Sequence, residues 1–289
     1  TVTTRGIYEK DEIRGYVPDQ DITAPWWASK AEDWWKLAAE NDFWQGGFVW
    51  TGFDYRGEPT PYKWPNVNSH FGIMDVCGFP KNIYYYYKSW WTDEDVTHIS
   101  PHWNWNEKIG QPIEVWVNSN ADDVELFLNG KSLGKKTMPR NSHLKWEVIY
   151  EPGTLEAIGY KKGKKISTKV ETTSTPYKVI ATLEKNILTA DGKDATVVNI
   201  SIVDEKGREV PVADNMVKFF LKGDAKIIGV GNGDPSSHEP DQFLDGAWQR
   251  SAFNGKCQVI ILSGKTKGEF QLEVKSNGLA SDVISFTQK

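Results

Sequence analysis

The chain has 289 residues, 39% hydrophobic and 25% charged, with 34 basic and 39 acidic side chains for a net charge of -5. That length makes two or three domains, and the acidic balance argues against a nucleic-acid surface, which needs a basic stripe. No apolar run approaches the roughly 20 residues of a membrane span, and Cys77 and Cys257 are too far apart for metal-ligand spacing or a disulfide framework.

Thr1-Val2-Thr3-Thr4-Arg5-Gly6 has neither the basic nor the apolar region of a signal peptide, and no initiator Met precedes it. The start therefore reads as a processed product or a fragment of something longer. Trp27, Ala31, Trp34, Trp35 and Ala38 follow helical spacing, with Pro25 in the first turn and Asn41-Asp42 at the exit. The apolar run Gly46 to Thr51 then predicts a buried strand, ending in Trp50, Asp54 and Tyr55 before a Gly/Pro loop. After an irregular stretch from Arg56 to Phe79, Pro80-Lys81-Asn82 opens a second helix through four tyrosines to Trp90-Trp91. Helix, buried strand, long loop and helix form the grammar of an α/β barrel or parallel sheet. A closed barrel needs about 250 residues, so this zone predicts only the end of one.

From about residue 98 the pattern changes to period-2 alternation. Pro112–Val117, Val124–Leu128, Leu144–Tyr150, Gly153–Tyr160 and Lys165–Glu171 read as strands, and Asn129-Gly130 is a type I′ hairpin signal. They predict a small β-sandwich. Past the linker Thr172-Thr173-Ser174-Thr175-Pro176, the runs Thr196–Val203, Val217–Leu221 and Gln258–Leu262 predict a second, immunoglobulin-like sandwich. The expected domains are 1–97, 98–174 and 175–289. Eleven of the 14 Trp lie before residue 106, so the front is built differently from the rest. Trp103, Trp105 and Trp116 fall near the first boundary, where they are expected to cement an interface.

The strand end at Trp50, Asp54 and Tyr55 suits a carbohydrate site, because aromatic faces pack on sugar C–H faces and carboxylates bind hydroxyls. An aromatic core strand closed by a polar turn is the other reading of the same residues. Glu58 and His70 are further candidates, for which a solvated or structural role is favoured. The acidic pairs along the chain are neighbours in sequence only and cannot face one another across a substrate, as the two carboxylates of glycoside hydrolysis must. Gly229 to Pro235 superficially resembles a nucleotide loop but has no helix after it, so no cofactor is expected; scattered histidines predict no metal.

Gln45-Gly46-Gly47-Phe48-Val49-Trp50 with Asp54 resembles the eighth barrel strand of glycoside hydrolase family 2 β-galactosidases. Ser69-His70-Phe71-Gly72-Ile73-Met74-Asp75 and Gly78-Phe79-Pro80-Lys81 resemble the segment after it. Pro101 to Trp105 and Val124 to Gly134 are similar to the sandwich that follows the barrel, and Gly229 to Asp234 to a further C-terminal sandwich. The resemblance implies the last part of a (β/α)₈ (TIM) barrel followed by two sandwiches, in a retaining enzyme acting on terminal β-galactosides. It places both catalytic glutamates before Thr1, and Glu9 and Glu12 lie in the wrong context to replace them, so no catalytic residue is assigned here. Trp50 would form an aromatic wall of the non-reducing sugar's subsite, with Asp54 close by and Tyr55 and Arg5 as further contacts. A periplasmic or secreted location, inactivity of this chain alone, and cover for the barrel remnant from the missing barrel or by self-association are also expected. The alternative is a non-enzymatic carbohydrate-binding or structural sandwich module.

Overall fold

A computed structural model describes residues 15–16, 20–21, 24–183 and 185–289. The chain divides into two compact units, one up to Thr172 and one from Thr173. The expected contact at Arg5 lies outside the described residues.

In the first unit, period-2 alternation becomes a two-sheet sandwich. One sheet has the order β1-β2-β5, from β1 (Thr97–Ser100), β2 (Pro112–Ser119) and β5 (Leu144–Ile149). The other runs β4-β3-β6-β7, from β3 (Asp123–Leu128), β4 (Lys131–Thr137), β6 (Thr154–Lys161) and β7 (Lys164–Glu171). Ile113, Val115 and Val117 of one sheet meet Val124, Leu126 and Leu155 of the other, all fully buried. Asn129 and Gly130, at φ 51° and 79°, make the left-handed pair that closes β3 onto β4 with the twist a hairpin needs. Trp103 and Trp105 do not cement a boundary. They are fully buried in the sandwich core, and Trp103 donates its indole N–H to the Glu151 carbonyl at 3.0 Å.

The front of this unit is helical and loop-like. Helix α1 (Ala31–Ala39) carries Glu32 and Asp33 in its first turn, where the helix dipole favours them, and the Asp21 carboxylate accepts the Ala31 amide at 3.3 Å. It buries no residue fully. Helix α2 (Asn82–Trp91) is anchored instead: the Tyr86 hydroxyl donates to the Asn141 carbonyl at 2.9 Å and the Trp90 indole to the Ser142 carbonyl at 3.2 Å. The Tyr85 ring stacks on His98 at 3.5 Å.

The strand expected over Gly46–Thr51 is absent. Residues 44–49 form no ladder among the described residues, and Phe48 and Trp50 stand out into solvent. An extended apolar run becomes a strand only when flanking strands satisfy its amides and cover its side chains, and none of the described segments does so.

The second unit is a sandwich of two larger sheets. The first, β12-β14-β10-β8, contains β8 (Lys178–Leu183), β10 (Ala195–Val203), β12 (Ala225–Gly231) and β14 (Lys256–Ser263). The second, β13-β11-β15-β16-β9, contains β9 (Ile187–Leu188), β11 (Met216–Lys222), β13 (Trp248–Ser251), β15 (Gly268–Ser276) and β16 (Asp282–Gln288). Val198, Ile200, Val259 and Ile261 face Val217, Leu272, Val274 and Phe286 across its core. The 232–247 loop between β12 and β13 is held by the buried Arg250. Its guanidinium pairs with Asp241, donates to Ser237 Oγ at 3.0 Å and to the Val230 carbonyl at 3.3 Å, and lies 3.9 Å from Glu239. Arg250→Leu removes the cation while leaving its partners in place, so we predict a loss of about 2–4 kcal/mol. The measurement is the urea midpoint of the chain, with new protease cleavage inside 232–247; an unchanged midpoint and cleavage pattern would show that the loop holds itself.

Candidate functional site

Residues 51–57 are knitted backbone to backbone against 67–74. Thr51 N–H donates to the Phe71 carbonyl at 3.0 Å, Asp54 N–H to Met74 at 3.0 Å, Gly57 N–H to Val67 at 2.9 Å and Ser69 N–H to Tyr55 at 2.8 Å. Gly72 is the residue that lets the segments close: a Cβ there would stand 2.2 Å from the Asp54 nitrogen and 2.3 Å from the Met74 oxygen. The path of the chain through this frame leaves Trp50 and Tyr55 facing outward and buries Asp54.

The outward group forms a ledge. Trp50 is 72% exposed, its indole N–H donates to the Tyr55 hydroxyl at 3.1 Å, and the Tyr55 hydroxyl donates to Glu58 Oε2 at 2.5 Å. The rings of Trp50 and Tyr55 meet edge to face at 6.1 Å. Tyr55's phenol is shifted upward, by desolvation and then by the Glu58 carboxylate that accepts its proton. The result is a fixed indole face beside an acceptor, an arrangement that can pack on a sugar ring and receive a hydroxyl.

Asp54 is not part of that surface. It is 5% exposed; Oδ2 pairs with Lys81 Nζ at 2.5 Å, while Oδ1 accepts the Gly72 amide at 2.8 Å and the Ser69 hydroxyl at 3.5 Å. Lys81 also reaches the His70 carbonyl at 3.4 Å. The ledge thus rests on a buried ion pair whose second member the sequence reading did not single out, although Lys81 closes the Gly78-Phe79-Pro80-Lys81 motif. Glu58, for which the sequence favours a solvated or structural role, is exposed and joins the ledge through the Tyr55 hydroxyl.

Beside the ledge, Trp50, Tyr62, His70 and Phe71 contribute to the lining of a cavity of about 140 Å³. Burial, with the Lys81 ammonium nearby, pushes His70 down to about 3, so its imidazole is neutral at ordinary pH. Asp75 closes the following turn, its Oδ1 accepting the Cys77 amide at 2.8 Å and the Phe79 amide at 3.0 Å. Burial pushes its carboxyl up to about 6 against those hydrogen bonds.

Two predictions follow from this geometry. Asp54→Ala leaves the Lys81 ammonium buried without its partner and should cost about 3–5 kcal/mol by urea titration; a cost under about 1 kcal/mol would mean that Lys81 finds water instead. Asp75 binds its proton more tightly folded than unfolded, so its contribution to stability is full below pH 3.8 and is lost as pH rises through about 6. Asp75→Asn keeps the acceptor and removes the charge. It should match the parent chain near pH 4 and exceed it by about 1–3 kcal/mol near pH 7.5, whereas equal stability at both pH values would place the Asp75 carboxyl in contact with solvent.

The family model for glycoside hydrolase family 2 C-terminal domain 5 matches residues 180–285, and one for a domain of unknown function matches 110–167. The chain is 46% identical over 264 residues to β-galactosidase BoGH2A of Bacteroides ovatus, covering 90% of this chain and 30% of that protein. It is 38% identical over 243 residues to a putative β-glucuronidase of Formosa agariphila, covering 80% of the chain and 23% of the relative. Among solved structures, a β-glycosidase from Bacteroides vulgatus superposes with a TM-score of 0.87 at 32% identity, over 94% of this chain and 34% of that one. The chain therefore spans about a third or less of the length of these relatives. The family model over the second unit, the identity along most of the chain and the superposed fold agree, and the chain belongs to glycoside hydrolase family 2, carrying that family's C-terminal domain 5 in its second unit.

Proposed function

We propose that this chain is the C-terminal portion of a retaining β-galactosidase that removes terminal β-galactosides, and that it supplies part of the sugar-subsite wall together with accessory, immunoglobulin-like sandwiches. The observation that carries the reading is the Trp50 indole, exposed yet fixed by Tyr55 and Glu58. An exposed indole ordinarily gains stability by burying itself; one held outward by a tyrosine hydroxyl that is itself held by a carboxylate is built to meet something. Trp50 is the wall, Tyr55 and Glu58 orient it, and Asp54 acts from beneath by holding the frame. The catalytic carboxylates come from the remainder of the polypeptide, and the whole protein acts in the periplasm or outside the cell. The high identity to a β-galactosidase favours a galactoside over a glucuronide substrate.

In this reading the front, residues 1–97, is the end of a (β/α)₈ barrel. Support comes from its uncovered aromatic side chains away from the ledge: Trp26, Phe43, Phe48 and Trp64 are all exposed, a concentration that soluble surfaces normally avoid. The missing strands, or a second copy of the chain, would cover them.

The purified 289-residue chain should not hydrolyse a nitrophenyl β-galactoside. Turnover that disappears on mutating a residue of this chain would overturn the assignment of the chemistry to other sequence. In the longer protein, Trp50→Ala should lower kcat/KM for the β-galactoside by about 10–100-fold, the worth of one aromatic wall. An unchanged kcat/KM would remove Trp50 from the subsite. Light scattering of the chain alone should show self-association, and a clean monomer would count against the barrel-remnant reading.

A further inference from the structure

Four Asn-Gly pairs occur in the chain, at 129–130, 232–233, 254–255 and 277–278. The pair forms turns readily, and its asparagine is also chemically labile. The backbone nitrogen of the glycine can attack the asparagine Cγ, because no Cβ on the glycine shields that nitrogen. A bond forms between the nitrogen and Cγ, the Cγ–Nδ2 bond breaks, and the nitrogen's proton leaves with ammonia. Water then opens the five-membered imide at one carbonyl or the other, leaving aspartate or iso-aspartate. Nothing is oxidised or reduced. The first step needs a carboxamide free to swing onto the next nitrogen and a nitrogen free to receive it, so the fold decides which of the four pairs can react.

Three of the pairs are held. Asn129 is exposed, but its Oδ1 accepts the Thr154 amide at 2.9 Å and its Nδ2 donates to the Pro152 carbonyl at 3.3 Å. Asn232 is buried, its Nδ2 donating to the Ser251 carbonyl at 2.8 Å and its Oδ1 accepting the Asp234 amide at 3.1 Å. At the third pair it is the nucleophile that is taken. The Gly255 amide donates to the Ala213 carbonyl at 2.9 Å, and the backbone is packed so closely that a Cβ on Gly255 would stand 2.4 Å from the Val210 oxygen. Asn277 is different. It lies in the turn between β15 and β16, exposed together with Gly278, and among the described residues neither its carboxamide nor the Gly278 amide has a hydrogen-bond partner.

We propose that Asn277 is a modification site of this protein: it deamidates in the folded chain, whereas Asn129, Asn232 and Asn254 react only when the fold opens. The site lies in the second unit and draws on none of the ledge residues, so it stands whether or not the ledge is a sugar wall. Its product has a structural consequence. Three residues on, Ala280 donates its amide to the Tyr177 carbonyl at 2.9 Å and accepts the Val179 amide at 3.0 Å, which ties the start of β8 to this turn. Iso-aspartate routes the main chain through the side-chain carbon and lengthens the turn just ahead of those bonds, so deamidation adds a negative charge and loosens the start of β8.

The test ages the 289-residue chain at physiological temperature in mildly alkaline buffer, native and in urea, and maps it by peptide mass spectrometry with an iso-aspartate assay. In the native chain Asn277 should deamidate at least about tenfold faster than the other three, which must first open locally. In urea the four should react at similar rates, since each is then simply asparagine before glycine. Asn277→Gln should remove the early acidic species on ion exchange while leaving the thermal midpoint unchanged. In the aged parent chain the Val179 and Ala280 amides should exchange with deuterium faster than in the Asn277→Gln chain aged beside it. Asn277 intact in the native chain while it reacts in urea would overturn the proposal, as would equal native rates at all four pairs. Unchanged exchange at Val179 and Ala280 in the iso-aspartyl chain would overturn the link to β8.

Discussion

The Lys81–Asp54 ion pair governs the front of this molecule. Lys81 is the last residue before α2, and both its side chain and that of Asp54 are shut away from water. Its ammonium holds the 51–57 segment through Asp54 and the 70–74 segment through the His70 carbonyl, while its own amide donates to the Ile73 carbonyl at 3.1 Å. One cation therefore sets three pieces of chain against each other. Removing two charges from water is expensive, and such pairs contribute little net stability even with good geometry. Here the carboxylate's remaining capacity is filled by Gly72 and Ser69, so the pair survives, and what it supplies is position. Position is what the ledge needs: shift the 51–57 segment and Trp50 no longer meets Tyr55, nor Tyr55 Glu58.

Both sandwiches were readable as sequence because alternation is a local signal. A strand with one face in a core must place apolar residues at every second position, and β5 and β14 do so without interruption. Strand β4 escaped that reading because its Lys131, Lys135 and Lys136 belong to an exposed edge, where lysines blunt further pairing and no core face imposes alternation. The run at 46–51 failed in the opposite direction: its residues are apolar enough for a strand, but a strand is a property of neighbours as much as of its own side chains. Asp54 shows the same limit at the level of a site. An aspartate at the end of an apolar run looks like a ligand for substrate, and nothing local reveals a lysine far along the chain that occupies it. Tyr55 and Glu58, three residues apart in one turn, were a pair that spacing alone could suggest.

Aromatic residues are put to two uses in the first unit. Trp103, Trp105 and Trp146 fill the sandwich core, where large rings bury much area at little entropy cost. Ahead of them Trp34, Trp35 and Trp44 cluster on one another and on Trp91 while remaining only partly covered, and α1 places no side chain fully inside. Helix α2 divides these two regimes. Its buried Tyr86 is tied to the sandwich through the Asn141 carbonyl, while its buried Tyr87 packs on Trp91, whose exposed ring lies beside Trp35. Among the described residues the front is fastened to the sandwich through α2, and its other aromatic rings stay partly exposed.

The same burial sets how this unit responds to acid. Burial holds His70 and His98 down at about 3 and His102 at about 4, so all three stay neutral in the folded chain well below the pH at which an unfolded histidine charges. The unfolded state binds more protons throughout that interval, and stability therefore falls as pH drops from about 6.5 toward 3. Asp75 works against them, since it is the folded state that holds its proton more tightly. Glu32 sides with the histidines: burial alone would raise it, but hydrogen bonds from His143 and Lys36 outweigh that and hold it at about 2, a contribution lost as pH falls through that value. Burial shifts the Asp21 carboxyl upward as well, and three histidines and a glutamate outweigh these two aspartates, so acid loosens this unit. His70 lies beneath the ledge and His98 at the α2 contact, while His102 stacks on Trp105 inside the sandwich, so acid acts on the front and on the sandwich core together.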